Sequence, residues 1–204
     1  MPAFFLLQER AGWSDAMAGL AFRPASLRDG GWWPGLVTSM FLHAGWAHVA
    51  MNALGALAFG PPVARLFPGL RGAAAFLLLY IACGVVGALG FGLVRFGSHD
   101  LAVGASGAVF GLMGAAIRLL GRRDGRLRPL SDRRVVQISV ILMVVNAGAG
   151  LIGLAPGMEG TGVAWEAHAF GYLAGLLLIG PWRRLWGPKP SAFDSSDDLG
   201  DPSR

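Results

Sequence analysis

A serine and a histidine near the starts of two separate apolar segments could together hydrolyse an acyl bond. Ser106 lies in the run Gly104-Ala105-Ser106-Gly107, and His168 is the only histidine of the last apolar segment. A serine hydroxyl needs an adjacent base to become a good nucleophile, and histidine most often supplies it. The pattern predicts Ser106 as nucleophile and His168 as base. The alternatives are a small packing residue and a buried structural histidine.

Two further polar side chains lie one helical turn apart in an earlier apolar segment. His48 and Asn52 are four positions apart, so they share a helix face, and both can donate a hydrogen bond to an oxyanion. We predict them as oxyanion donors, with His43 as a supporting residue at the mouth of that helix. Three histidines could instead bind a metal. However, no Asp, Glu or Cys stands at ligand spacing with them, so we predict neither a metal nor another cofactor.

No acidic residue completes a triad with the serine and the histidine. Glu166 precedes His168 by two positions, and positions two apart on a helix do not face each other. The sequence therefore predicts a Ser–His dyad.

Small residues could let the serine and histidine segments approach closely. The glycines of these two stripes are Gly107, Gly111 and Gly114, and Gly171 and Gly175. In lipid, such stripes allow close contact between helices, although generic packing is an alternative for each glycine. Phe110, one turn after Ser106, is expected to pack against the His168 ring.

The composition indicates which elements must position these residues. Of the 204 residues, 54% are hydrophobic and only 14% are charged, whereas about 25% are charged in a soluble domain. Apolar runs near the ~20 residues that a membrane-spanning helix needs recur along the chain. The sequence therefore predicts a polytopic bundle of transmembrane helices. The predicted helices cover residues 43–63, 71–94, 104–120, 134–154 and 165–182.

The two ends of the chain differ from this apolar core. Residues 1–12 resemble the end of a transmembrane helix whose start is missing, and residues 13–42 mix Trp, Arg and Pro. Such a mixture is typical of an interfacial loop, with an ordinary amphipathic connector as the alternative. We therefore divide the chain into residues 1–42, a catalytic core at 43–186 and a disordered tail at 187–204.

The placement of the basic residues predicts an orientation. Most arginines lie in the connections after the first, third and fifth predicted helices, which places these connections and the carboxyl terminus in the cytoplasm. Ser106, His168 and His48 then lie toward the extracytoplasmic side. Although the net charge is +5, basic patches interleaved with aromatic residues are absent, so we exclude nucleic acid as a partner.

With these residues assembled, the chain resembles the rhomboid family of intramembrane serine proteases. The matching motifs are His43-(x4)-His48-(x3)-Asn52, Gly104-Ala105-Ser106-Gly107 and Ala167-His168-(x2)-Gly171-(x3)-Gly175. The resemblance covers residues 33–182. It implies an all-α transmembrane bundle with a six-helix core, of which the first helix is truncated or missing here, leaving about five full spans.

The resemblance also implies an activity. The family hydrolyses peptide bonds in or near the transmembrane segments of membrane protein substrates, through an acyl-enzyme and without a cofactor. By this resemblance Ser106 is the nucleophile and His168 the base. His48, Asn52 and the Ser106 N–H are the implied oxyanion donors. The helix at 134–154 matches the lateral gate of the family, and residues 155–164 match its cap loop.

The chain departs from the family pattern at three points, of which the missing first helix supports a competing hypothesis. The first helix is nearly absent, Trp33 is followed by Pro34 instead of the Arg of a Trp-Arg pair, and Phe110 stands where a Tyr is frequent. The alternative function is therefore a catalytically silent rhomboid-like protein that binds client transmembrane helices. Under either hypothesis the partners are membrane proteins and the lipid bilayer, and we expect a multi-pass protein of a bacterial plasma membrane.

Overall fold

The computed structural model describes residues 1–12, 15–31, 33–122, 125–153 and 164–188. Its helices are α1 (Pro2–Ala11), α2 (Asp15–Leu20), α3 (Ala25–Asp29), α4 (Gly35–Thr38), α5 (Trp46–Ala64), α6 (Gly69–Val94), α7 (Ser106–Ile117), α8 (Arg133–Leu151) and α9 (Trp165–Trp186). A single 3-10 turn, Ser39–Phe41, precedes α5. The expected helical bundle is thus confirmed. The predicted cap loop, apart from residue 164, and the predicted tail, apart from residues 187–188, lie outside the described residues.

The five predicted apolar helices correspond to α5 to α9, although each has at least one end that differs from the prediction; α8 ends at Leu151 and not at 154, and α9 ends at Trp186 and not at 182. α5 begins at Trp46, so His43 lies in the preceding loop and not in the helix. α5 also continues through Pro61 and Pro62, because the fixed φ of proline is itself helical. α7 begins at Ser106 and ends at Ile117, and is therefore shorter than predicted at both ends.

The long helices differ in their ability to cross a membrane. By length and composition α6 and α8 could each span one, with mean hydropathies of 2.3 and 1.7. α7 is apolar but has 12 residues, about 18 Å of helix, whereas the hydrocarbon layer is ~30 Å thick. All five predicted apolar segments are therefore helical, and the number of full spans stays a prediction.

The short helix α7 lies at the centre of the bundle, against α5, α6 and α9. Eight of its residues are buried: Gly107, Ala108, Val109, Gly111, Leu112, Gly114, Ala115 and Ile117. On the side of α9 the contact is backbone against backbone. A Cβ on Gly171 would overlap the Gly107 carbonyl, and a Cβ on Gly175 would overlap the Gly111 carbonyl. We call this contact the glycine seam; it places the start of α7 beside the start of α9.

The helix α8 lies on the rim of the bundle. Only Val135 and Asn146 are buried among its residues. Its N-cap, Asp132, accepts hydrogen bonds from the Arg134 and Val135 N–H groups and from Arg128. The hydrogen bond from Arg128, more than those from the backbone, holds the pKa of Asp132 below its ordinary value. α8 is therefore well capped at its start and lightly packed along its length.

The segment that leads into α7 is anchored by backbone hydrogen bonds. Phe22 and Ala102 exchange two of them, at 3.0 and 2.8 Å. The Gly104 N–H donates to the Ser39 carbonyl at 2.9 Å. These bonds tie the approach to Ser106 to the region between α2 and α5, so the position of the serine does not depend on α7 alone.

Candidate active site

The predicted nucleophile and base lie within hydrogen-bond distance of each other. Ser106 is the first residue of α7, His168 lies in the first turn of α9, and Ser106 Oγ is 2.8 Å from His168 Nε2. The glycine seam brings the two helix starts this close. Both residues are half-buried, so the pair is reachable and not sealed in the core. The geometry is that of a hydroxyl beside the nitrogen that would take its proton.

Phe110 lies where the sequence placed it, against the histidine. Its ring stacks on the His168 imidazole with centroids 4.3 Å apart and planes 6° apart. This contact holds the plane of the imidazole, since rotation of the ring would separate the two stacked faces.

A residue that the sequence analysis missed contacts the other nitrogen of the histidine. Asn146 Oδ1, from α8, lies 2.9 Å from His168 Nδ1. Asn146 Nδ2 donates to the Trp165 carbonyl at 2.9 Å. From the sequence, only acidic residues were expected as a third member beside Ser106 and His168, and asparagine is uncharged. Its signal was nevertheless present, because a polar side chain in an apolar membrane helix is costly and usually functional.

The two predicted oxyanion donors lie beside the loop that precedes the serine. Gly104, two residues before Ser106, has a φ of +110° and borders the His48 ring. A Cβ on Gly104 would lie 2.6 Å from His48 Nε2 and 3.7 Å from Asn52 Nδ2. Glycine is thus required here by backbone conformation and by the close ring. Asn52 Nδ2 also donates to the His48 carbonyl at 3.1 Å, which leaves the second amide hydrogen for another acceptor.

His43 is fully buried in the loop before α5, with its ring 5.2 Å from that of His48. The side chain of Gln8, in α1, binds both backbone groups of His43: Nε2 donates to the carbonyl at 2.7 Å, and Oε1 accepts from the N–H at 3.0 Å. Trp46 Nε1 donates to Glu9, also in α1, at 3.1 Å. The short first helix therefore holds the loop that leads to His48.

Glu166 is turned away from the histidine, as its position in the helix predicts. Its Oε1 accepts a hydrogen bond from Arg95 Nε at 2.9 Å, and the residue is 4% exposed. Arg95 follows the last residue of α6, so this ion pair joins the end of α6 to the start of α9. It contributes to the frame around the site and does not contact the reacting groups.

The Ser–His pair is recessed below the end of α6. A Cβ on Gly107 would lie 3.7 Å from the Cα of Gly87, so the start of α7 is level with that residue. From Gly87, α6 continues to Val94, about 10 Å further along the helix axis. The free N–H groups of the first turn of α7 therefore lie below the level that the end of α6 reaches. Within the described residues no three His, Cys, Asp or Glu side chains cluster as metal ligands would.

Comparison with known proteins identifies the family of the chain. The profile of the rhomboid domain matches residues 29–184. The chain is 28% identical over 169 residues to "Putative rhomboid protease YdcA" of Bacillus subtilis, covering 81% of this chain and 73% of that protein. It is 33% identical over 151 residues to "Rhomboid protease GluP" of the same organism, covering 72% and 27% respectively.

A plant relative extends the comparison. The chain is 32% identical over 164 residues to "RHOMBOID-like protein 4" of Arabidopsis thaliana, covering 80% of this chain and 37% of that protein. The chain thus spans well under half the length of GluP and of this plant relative. The match of the domain profile covers most of the chain, and the chain belongs to the rhomboid family.

Proposed function

We propose that this chain is an intramembrane serine endopeptidase that cleaves membrane proteins in or near a transmembrane segment. The observation that carries the proposal is the 2.8 Å approach of Ser106 Oγ to His168 Nε2 at the recessed start of α7. The relative GluP is named a rhomboid protease, which supports the same reaction class. Inactive members of the family also exist, so the activity of this chain needs a direct test.

The reaction follows from the arrangement of the pair. His168 Nε2 takes the hydroxyl proton as Ser106 Oγ attacks the scissile carbonyl, and the tetrahedral intermediate carries the negative charge on its oxygen. When the C–N bond breaks, the imidazolium returns the proton to the leaving amine. A water molecule, deprotonated by the same imidazole, then attacks the acyl-enzyme. When the bond to Ser106 Oγ breaks, the imidazolium returns this proton to Oγ, which releases the second product and regenerates the serine.

The start of α7 contributes to the reaction by stabilising the oxyanion of the tetrahedral intermediate. The free N–H groups of the first turn of α7 point toward the developing charge, and the helix dipole favours an anion there. His48 and Asn52, beside Gly104, supply side-chain donors. Removing one such donor typically costs about 100- to 1000-fold in kcat.

The surroundings of the site favour an extracytoplasmic location in a plasma membrane, with the carboxyl terminus in the cytoplasm. The arginine-rich connection between α7 and α8 lies at the opposite end of α7 from Ser106. By the positive-inside rule that connection is cytoplasmic, and Ser106 then faces the other side. Water and a substrate backbone would reach Ser106 and His168 at the start of α7, below the end of α6.

The test is cleavage of a single-pass model substrate in liposomes by the parent protein and by Ser106→Ala and His168→Ala. We expect cleavage by the parent alone, with all three proteins folded, because each change removes one reacting group. A fluorophosphonate probe, which acylates activated serines, should label the parent and not Ser106→Ala. Cleavage that survives in Ser106→Ala would refute the assignment of the nucleophile. A folded parent that neither cleaves nor labels would indicate the silent, client-binding alternative.

A further inference from the structure

One side chain connects the rim helix α8 to the predicted base. Asn146 is one of the two buried residues of α8, is 8% exposed, and makes hydrogen bonds to His168 and to the backbone of Trp165. We propose that Asn146 is a positioning residue that fixes the His168 tautomer able to act as a base. The expected effect on the cleavage rate rests on the proposed function. The assignment of the His168 tautomer rests on geometry alone.

The argument begins with the orientation of the amide. The Trp165 carbonyl can only accept a hydrogen bond, so the group that lies 2.9 Å from it must be the NH2 of Asn146. The amide oxygen then necessarily faces His168 Nδ1, also at 2.9 Å. The carbonyl of α9 thereby settles the O/N assignment of the amide, which hydrogen-bond partners alone decide.

The orientation of the amide in turn determines the protonation of the ring. An amide oxygen is an acceptor, so a hydrogen bond at Nδ1 requires that this nitrogen carries the proton. In a neutral imidazole the proton at Nδ1 leaves a lone pair at Nε2, and Nε2 is the nitrogen beside Ser106 Oγ. The chain of donors and acceptors thus runs from the Trp165 carbonyl through Asn146 and His168 to the serine.

The opposite tautomer would be unproductive. With the proton on Nε2, the imidazole would donate to Ser106 Oγ and could not accept its proton, and two acceptors would face each other at Nδ1 and Oδ1. Asn146 therefore holds the imidazole in one tautomer and orientation, as the third group of the triad does in other serine and cysteine hydrolases. It does so without the negative charge of an aspartate. The site is better described as a Ser–His pair held by an asparagine than as an isolated dyad.

A purely structural role for Asn146 is the competing explanation, and α8 offers a matched control. Ser139 Oγ lies 2.6 Å from the hydroxyl of Tyr172, so Ser139 also joins α8 to α9 by a side-chain hydrogen bond. It does not contact His168. Loss of either residue weakens the attachment of α8, but only loss of Asn146 changes the partner of the imidazole.

The kinetic experiment compares Asn146→Leu, Asn146→Asp and Ser139→Ala with the parent in the liposome cleavage assay. Leucine has similar size and no acceptor, so we expect kcat to fall by about 10- to 100-fold with KM nearly unchanged, less than the ~10⁴-fold loss when a triad tautomer is reversed. Aspartate keeps an acceptor for Nδ1 but, when ionised, cannot donate to the Trp165 carbonyl, so Asn146→Asp should recover only part of the rate. Ser139→Ala should stay within about threefold of the parent. Equal losses in Asn146→Leu and Ser139→Ala would overturn the proposal.

A second experiment reads the tautomer without any catalysis. Protein labelled with ¹⁵N-histidine, at about pH 8 where a histidine of ordinary pKa ~6.5 is neutral, gives separate signals for protonated and unprotonated ring nitrogens. His168→Gln identifies the His168 signals. We expect a protonated Nδ1 in the parent and in Asn146→Asp, and a mixture of tautomers in Asn146→Leu.

The two experiments separate the inference from the proposed function. A protonated Nε2 in the parent, or an unchanged spectrum in Asn146→Leu, would overturn the role of Asn146 even if the protein is an active protease. A parent that does not cleave but shows the expected Nδ1 proton, lost in Asn146→Leu, would refute the protease while supporting the positioning of the ring.

Discussion

Two of the helices that pack against the helix that carries His168 are attached to it in opposite ways. Toward α7, the α9 backbone lies directly on the α7 backbone along the glycine seam, where Gly171 and Gly175 have no room for a Cβ. Toward α8, the contact consists of a small apolar cluster around Val135, Tyr172 and Leu176 and a few side-chain hydrogen bonds. One side of α9 is fixed and the other is lightly held.

This difference separates the residues that exchange the proton from the residue that orients the imidazole. The two groups that exchange the proton, Ser106 and His168, lie on the fixed side, where backbone contact determines their separation. The group that orients the imidazole, Asn146, comes from the lightly held side. A displacement of α8 would therefore leave the serine and histidine close together but release the Nδ1 hydrogen bond.

The largest effect should come from closing the space in the glycine seam. We expect Gly171→Val to lose both fold and cleavage, because its side chain would overlap the Gly107 backbone and force α7 and α9 apart. Overpacking of this kind costs typically 1–3 kcal/mol and more where, as here, the neighbour is backbone. Thermal unfolding in detergent measures the loss. A Gly171→Val protein with parental stability and activity would contradict the rigid description of this side.

A smaller effect is expected at the start of α9, where the Arg95–Glu166 pair joins it to α6. Arg95→Met would leave the carboxylate of Glu166, 4% exposed, without its partner. Because Arg95 is itself partly exposed and water screens the pair, we expect a loss of only about 1–2 kcal/mol of unfolding free energy.

The double variant Arg95→Met/Glu166→Gln provides the control for this pair. It removes the buried charge as well as its partner, so it should recover part of the loss, as the same thermal unfolding would show. Activity per folded molecule should stay near the parental value in both proteins, since neither residue touches the reacting groups. A double variant that is less stable than Arg95→Met would show that Glu166 is stabilised by something other than the arginine.

The sequence was informative where local chemistry decides the structure. The apolar runs predicted α5 to α9, and the spacing of Ser106, His168 and Phe110 anticipated residues that the structure brings together. The starts and ends of helices were less predictable. α5 begins three residues after His43, because the backbone of His43 is bound by Gln8 of α1, a contact that no local pattern indicates.

Asn146 shows a different reason for a missed residue. It lies 22 positions from His168, and only the packing of α8 on α9 brings its amide to Nδ1. In addition, only an acid was expected as the group that orients the His168 imidazole. The physical requirement is only an acceptor for the Nδ1 proton, which an amide oxygen meets, so a buried asparagine in an apolar helix should have been considered.

The smallest expected effect tests the lightly held side with the same kind of substitution. Gly148 lies on α8, and among the described residues a Cβ built on it would have no neighbour within 4 Å. Gly148→Ala should therefore leave cleavage unchanged, and it should raise the unfolding free energy by up to about 1 kcal/mol, because alanine restricts the unfolded chain and favours the helix. Thermal unfolding and the liposome assay, run beside Gly171→Ala, measure both quantities.

The paired glycine substitutions decide whether the two sides of α9 really differ. If Gly171→Ala lowers the unfolding free energy and Gly148→Ala does not, α9 makes close backbone contact with α7 along the glycine seam and not with α8. If Gly148→Ala slows cleavage while raising stability, α8 bends near this glycine during the reaction, because the added methyl group touches none of the described residues and stiffens the helix. In that case the lightly held side moves during turnover, and Asn146, two residues away, would move with it.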